Sequence, residues 1–146
     1  METDEISTAV LASLLEQMGR RLHSQGYSSQ LFPAQWAALR YVQLAVPERR
    51  TAIDLARFQG LASGAVARTV RTLISKGYLV KRGTIGRGRA EQLELTDRGI
   101  ALLKKDPLRR VAEALNGLDD TERRTLAKSL ETAIRATMPG NTPSQP

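Results

Sequence analysis

Cysteine is absent from this 146-residue chain, histidine occurs once, and aromatic residues make up 4% of it. Without cysteine there are no disulfides, no thiolate metal ligands and no thiol-based redox switch. With His23 alone, a single chain cannot assemble a histidine metal site or a histidine-dependent triad. The scarcity of aromatics leaves Leu, Ile, Val and Ala to build the core, a composition that favours helices over a large sheet. No apolar run approaches the length of a membrane span, and the acidic start Met1-Glu2-Thr3-Asp4-Glu5 does not read as a signal peptide. The expectation is a cytoplasmic protein with no cofactor and no membrane partner. Its length suits one ordinary domain, or a small module with dimerisation arms.

What is present is positive charge, and it is concentrated. Residues 49–95 hold ten Lys/Arg (Arg49, Arg50, Arg57, Arg68, Arg71, Lys76, Lys81, Arg82, Arg87, Arg89) against Asp54, Glu91 and Glu94. That surplus equals the whole net charge of +7, while the remaining twelve bases face twelve acids. A neutral scaffold carrying one basic module is the arrangement a polyphosphate partner selects.

Hydrophobic spacing organises the chain. Ile6, Val10, Leu14, Met18 and Leu22 recur every four residues and predict a helix over about 4–26, closed by Gly26. Its stripe is long enough to serve an intersubunit contact. Pro33 opens a second helix with Trp36, Leu39 and Val42 on its apolar face. Thr51 is an N-cap for a short helix over 52–59, which Gly60 stops. A further helix over 63–76 turns Val66, Val70, Leu73 and Ile74 inward and ends at Gly77. The period then changes. Leu79-Val80-Lys81-Arg82 and Gln92-Leu93-Glu94-Leu95 read as strands flanking a Gly/Arg-rich tip, with Thr96 capping the next helix. Beyond it Pro107 interrupts the helical run, Asn116-Gly117 makes a turn, and Asp119 or Asp120 caps a last helix near 120–137. The tail 139–146 is expected to be disordered.

Two helices joined by a tight turn and followed by a hairpin form a winged helix-turn-helix. The fold expected is therefore mainly α with a small β-hairpin wing. Residues 31–96 form the DNA-binding domain, and 1–30 and 97–138 supply dimerisation helices. In such a module the second helix enters the major groove. Its outward positions are Ser63, Gly64, Ala65, Arg68, Thr69, Arg71 and Thr72. The small residues at its start allow close approach to phosphate, and Arg68 is the candidate for gripping a guanine edge bidentately. In the wing, Arg82, Arg87 and Arg89 supply charge, and Gly83, Gly86 and Gly88 allow a close path along a backbone or into a minor groove. Thr51 completes the DNA-contacting set.

These segments resemble the MarR-type transcriptional regulators over nearly the whole chain. The resemblance lies in Phe32-Pro-Ala-Gln-Trp-Ala-Ala-Leu39, in Leu55-Ala56, in Val66-Ala-Arg-Thr-Val-Arg-Thr-Leu-Ile-Ser-Lys-Gly77-Tyr-Leu-Val80, and in Arg89-x-x-x-Leu93-x-Leu95-Thr96-Asp-Arg-Gly99. It implies a homodimer with interlocked terminal helices that binds a near-palindromic double-stranded DNA operator and is released by a small molecule. Two positions depart from the pattern. Relatives usually carry Asp-x-Arg in the wing, where this chain has Arg87-Gly88-Arg89, and often an acid in the recognition helix, where Arg71 stands. Glu91 and Glu94 remain as substitute partners for Arg89, and a less fixed wing with a more salt-dependent grip is expected.

The resemblance also implies an effector cleft, for which His23, Tyr27, Trp36 and Arg40 lie on suitable segments. Each has a simpler role beside it: Trp36 as a core residue, His23 as a surface residue at a helix end. Two other classes of function fit the basic module, an architectural protein that coats DNA with little sequence choice and a winged-helix adaptor for an acidic protein. Enzymatic function is not expected, since no acid/base constellation or phosphate-cradling glycine motif is present.

Overall fold

The structure, a computed structural model, describes residues 5–85 and 90–140. Arg87 and Arg89, with Gly86 and Gly88, lie outside the described residues, as do Asp4 and the last six residues of the expected tail. The described residues form two units, one running to Pro107 and one from Leu108 onward.

The first unit begins with α1 (Thr8–Tyr27), whose N-cap is Ser7, its hydroxyl accepting from the Val10 N–H. Ile6 therefore precedes the helix instead of opening it. Gly26 does not close α1 either: it is a buried residue within the last turn. In α2 (Pro33–Leu44) Pro33 takes the first helical position, where a missing N–H costs nothing, and the Gln35 side chain accepts from the Phe32 N–H at 2.9 Å. A single 3₁₀ turn, Pro47–Arg49, leads to α3 (Ala52–Gln59) and α4 (Ser63–Ser75). Gly60 adopts φ 64° and Gly77 φ 82°, left-handed conformations that favour glycine, so both helix ends predicted from these glycines are as expected.

The hairpin is longer than its sequence indicates. Strands β1 (Leu79–Ile85) and β2 (Ala90–Leu95) pair antiparallel from Leu79 opposite Leu95 to Ile85 opposite Ala90. Between Lys81 and Thr84 the register slips, so Arg82 and Gly83 together face Gln92. This is a β-bulge, and Gly83 at φ 96° supplies the conformation it requires. Gly83 thus belongs to a strand, not to the tip. Loop residue Arg50 joins the hairpin edge by accepting from the Leu93 N–H at 2.7 Å.

Helix α5 (Asp97–Leu103) starts at the cap Thr96, whose hydroxyl accepts from the Gly99 N–H and donates to the Gly77 carbonyl at 2.6 Å. One hydroxyl thereby joins the end of α4 to the start of α5. The core gathers Leu31, Trp36, Leu39 and Val42 with Leu55, Val66, Val70 and Leu73, then Leu79, Leu93, Leu102 and Leu103. Helix α5, grouped with the terminal helices by its sequence, contributes two of these side chains.

The second unit holds α6 (Leu108–Leu115) and α7 (Asp120–Ala136). Asp119 caps α7 in a reciprocal box with Glu122: each side chain accepts from the other's backbone N–H, at 2.8 and 3.0 Å. Neither helix has a buried residue, and Leu108, Leu115, Ile134 and Met138 are exposed. Among the described residues, no helix is long and apolar enough to cross a membrane and no group of three metal-ligating side chains forms.

Candidate nucleic-acid interface

Helix α3 ends in a compact turn in which the Leu61 N–H returns to the Ala56 carbonyl and Gly60 to Arg57. That turn delivers α4 with Val66, Val70 and Leu73 buried beneath it and Ser63, Gly64, Ala65, Arg68 and Arg71 exposed. The cap residue Ala62 offers no side-chain hydrogen bond, and no acid stands in the first turn. The leading N–H groups of α4 are therefore left without a side-chain cap, a partial positive charge directed outward. A Cβ on Gly64 would meet nothing within 4 Å, so no internal contact requires glycine there. The glycine weakens the helix without a packing return inside the chain.

Charge pairing separates the basic residues into two groups. Asp54 takes the Thr51 hydroxyl at 2.8 Å and lies 3.4 Å from Arg49 and 4.0 Å from Arg57. On the hairpin, Glu91 pairs with Lys81 at 2.8 Å and Glu94 with Arg82 at 3.0 Å. All three acids of the basic segment are thus engaged by α3 and the wing stem. Among the described residues, no ion pair or side-chain hydrogen bond engages Arg68 or Arg71. Arg71 borders an open groove of about 530 Å³ between α3, α4 and the hairpin, with Val70 and Leu93 lining it and Lys81 and Glu91 on the opposite side.

Several site residues proposed from sequence are placed differently. Thr51 is 4% exposed, and its hydroxyl caps α3 by accepting from the Asp54 N–H, so its side chain is not presented to a ligand. Thr69 donates to the Ala65 carbonyl of its own helix at 3.2 Å. Arg82 remains exposed but holds Glu94. Glu91 and Glu94, the candidate partners of Arg89, are held by their cross-strand neighbours.

The four effector candidates divide. His23 and Tyr27 stay at the surface, where their rings flank Phe32 at centroid distances of 6.4 and 5.5 Å. Phe32 completes that cluster and was not singled out from sequence; its position directly ahead of Pro33 was the available signal. Trp36 is 3% exposed and belongs to the core. Arg40 forms a two-pronged pair with Asp106, at 2.6 and 2.7 Å, while its guanidinium lies over the Trp36 ring. Burial and pairing remove both from an open cleft. Asp106 was invisible as a partner because sixty-six residues separate it from Arg40.

The MarR family model matches residues 29–90, from the turn after α1 through the start of β2. No curated protein matches the sequence. Among solved structures the chain is similar to an S. aureus MepR–DNA complex at 15% identity, with 93% of this chain and 100% of that chain covered and a TM-score of 0.70. It is similar to wild-type MarR from E. coli in its apo form at 21% identity, with 90% and 99% covered and a TM-score of 0.60. A third similarity is to MepR as transcription regulator of the Staphylococcus aureus multidrug efflux pump MepA, at 16% identity, 91% and 100% coverage and a TM-score of 0.59. At these identities the solved structures speak to the fold, and the matched segment covers the helix-turn-helix and most of its hairpin. The chain thus carries a segment that matches the MarR family model and has the winged helix-turn-helix fold of the solved MarR and MepR structures.

Proposed function

We propose that this protein is a cytoplasmic, sequence-specific regulator of transcription that binds double-stranded DNA as a homodimer, acts as a repressor and is released by a small-molecule effector. The observation that carries DNA binding is the pair Arg68 and Arg71. Both are exposed on α4 behind an uncapped helix start while every acid of the basic segment is engaged elsewhere. A guanidinium without an internal partner, on the helix that this motif inserts in the major groove, suits base edges and phosphates.

The exposed stripe Val10, Leu11, Leu14 and Met18 on α1, with Leu115 and Ile134 on α6 and α7, supports dimerisation through the chain ends. A two-fold dimer would space two recognition helices by roughly one DNA turn, about 34 Å. The surface cluster of His23, Tyr27 and Phe32 is where an aromatic effector would be sought.

Selecting bound fragments from genomic DNA and measuring affinity against salt tests the reading. Preference for the recovered sequence over random DNA by more than about 10³ is expected of a regulator. A preference near unity would instead support low-specificity DNA coating, and no binding at all would defeat both. Sedimentation should give dimers at micromolar concentration; a monomer that retained tight operator binding would defeat the dimer.

A further inference from the structure

Lys76, one of the ten cations of the basic segment, makes a contact within the chain. Its ammonium donates to the carbonyl oxygen of Gln30 at 2.6 Å, forty-six residues away. Lys76 is the C-cap residue of α4, and Gln30 lies in the corner between α1 and α2. Gln30 is also the only non-glycine with positive φ among the described residues, at 60°. A side-chain-bearing residue in that region is under strain and persists where its surroundings hold it.

Several ties hold this corner, among them the Gln30 N–H donating to the Tyr27 carbonyl at 2.7 Å. Leu31, the next residue, is fully buried in the core. The Gly26 carbonyl, at the other end of the corner, accepts from the Trp36 indole N–H at 3.2 Å and from the Ser29 N–H at 3.2 Å. Lys76 adds a hydrogen bond to this corner from the recognition helix. The Gly26 and Tyr27 carbonyl bonds hold the corner to α1 and α2, so without Lys76 the corner stays in place but the Gln30 carbonyl has no bond to α4.

We infer that Lys76 is a positioning residue that locks the C-terminal end of α4 to the left-handed corner after α1, so that a displacement of α1 is passed to the recognition helix. This rests on the reading of α4 as the DNA-contacting helix. The chemistry suits the task. An ammonium on a carbonyl is a charge-assisted bond, and at the end of a helix the same cation faces the carbonyl end of the dipole. The bond joins a flexible side chain to a strained backbone, and it can break without disturbing the core. The α1 stripe from Val10 to Met18 is on the same helix that ends at this corner, so the lock connects the exposed apolar face to the DNA-facing one.

Lys76→Met and Lys76→Arg in the full chain test the lock in two independent measurements. Hydrogen exchange without DNA should show the amides of residues 30–32 and 74–78 exchanging about fivefold faster in Lys76→Met, with α5 unchanged and Lys76→Arg close to wild type. Affinity for a DNA fragment selected by the wild-type protein should fall about fivefold in Lys76→Met with an unchanged salt slope, because no phosphate contact is lost. Unchanged exchange at 30–32, or a uniform rise across the chain, would overturn the lock. A salt slope reduced by about one would place Lys76 on phosphate and overturn it as well. Should the wild type select no DNA, the regulator reading fails, and the exchange measurement still decides whether Lys76 joins α4 to the corner.

Discussion

The indole N–H of Trp36 reaches the carbonyl of Gly26 across 3.2 Å, and a Cβ on Gly26 would stand 2.6 Å from that indole nitrogen. A side chain at residue 26 would therefore force the indole to shift from its place between α1 and α2. Two forces oppose each other in Gly26→Ala. Alanine gains up to about 1 kcal/mol in helix propensity, while displacing a buried indole costs roughly 1–3 kcal/mol. A net loss of about 1 kcal/mol in urea unfolding is expected; stability equal to wild type would mean that the indole gives way freely.

Two further glycines should respond in opposite directions. A Cβ on Gly99 would press inside the van der Waals envelope of the Tyr78 carbonyl oxygen, a backbone atom that cannot rotate away. Gly99→Ala should lose about 3 kcal/mol, read as a large drop in Tm. Gly64→Ala meets open space and should gain up to about 1 kcal/mol. If Gly64 serves close approach to DNA, that more stable variant binds its operator more weakly. A variant both more stable and unimpaired in binding would remove Gly64 from the interface.

Arg68 and Arg71 should separate by mechanism. Arg68→Ala is expected to cost about 1–3 kcal/mol on the selected operator and little on random DNA, the mark of a base-edge contact. Arg71→Ala should weaken both alike and lower the salt slope by about one. Anisotropy titrations at several salt concentrations distinguish the two, and matching profiles for both variants would refute this division.

Tyr41 gives a pH dependence on the alkaline side. Burial pushes its hydroxyl above the usual tyrosine value, nearby Asp54 adds to the rise, and Arg49 partly opposes it. The hydroxyl donates to the Arg49 carbonyl at 2.8 Å, which only the neutral form can do. The folded chain holds this proton more tightly than the unfolded one. The stabilisation is complete below about pH 10 and disappears as pH rises through the folded value. Wild type should exceed Tyr41→Phe by roughly 0.5–1 kcal/mol in urea at about pH 8, and the gap should narrow above about pH 10. A gap independent of pH would show that the hydroxyl does not titrate with folding.

Periodicity and turn chemistry exposed most of this fold. Thr51, Gly60, Gly77 and Thr96 each perform a local task, and a local task leaves a local signature. What escaped was long-range pairing. Nothing near Arg40 announces Asp106, and nothing near Lys76 announces Gln30; Arg40 looked like a side chain open to a ligand, and Lys76 was one charge in the basic segment. Gly26 was misread because a glycine at a helix end suggests a cap, whereas its reason lies on a neighbouring helix. Gly83 was assigned to a loop because two residues facing one cannot be seen along a single strand. The exposed face of α4 was legible because a helix buried on Val66, Val70 and Leu73 leaves only one set of positions outside.

The pairing of Lys81 with Glu91 and Arg82 with Glu94 gives the molecule two electrostatic characters, one for each distance. Beyond a Debye length, about 8–10 Å at ordinary salt, an approaching polyanion senses only the attenuated field of the summed charge, and the paired stem adds nothing net. At contact the stem is a string of small local dipoles, and the monopoles still presented by the described residues of α4 are Arg68 and Arg71. Unpairing the stem by substituting either glutamate would strengthen the pull on every DNA sequence equally, and so erode the contrast between the right sequence and the rest.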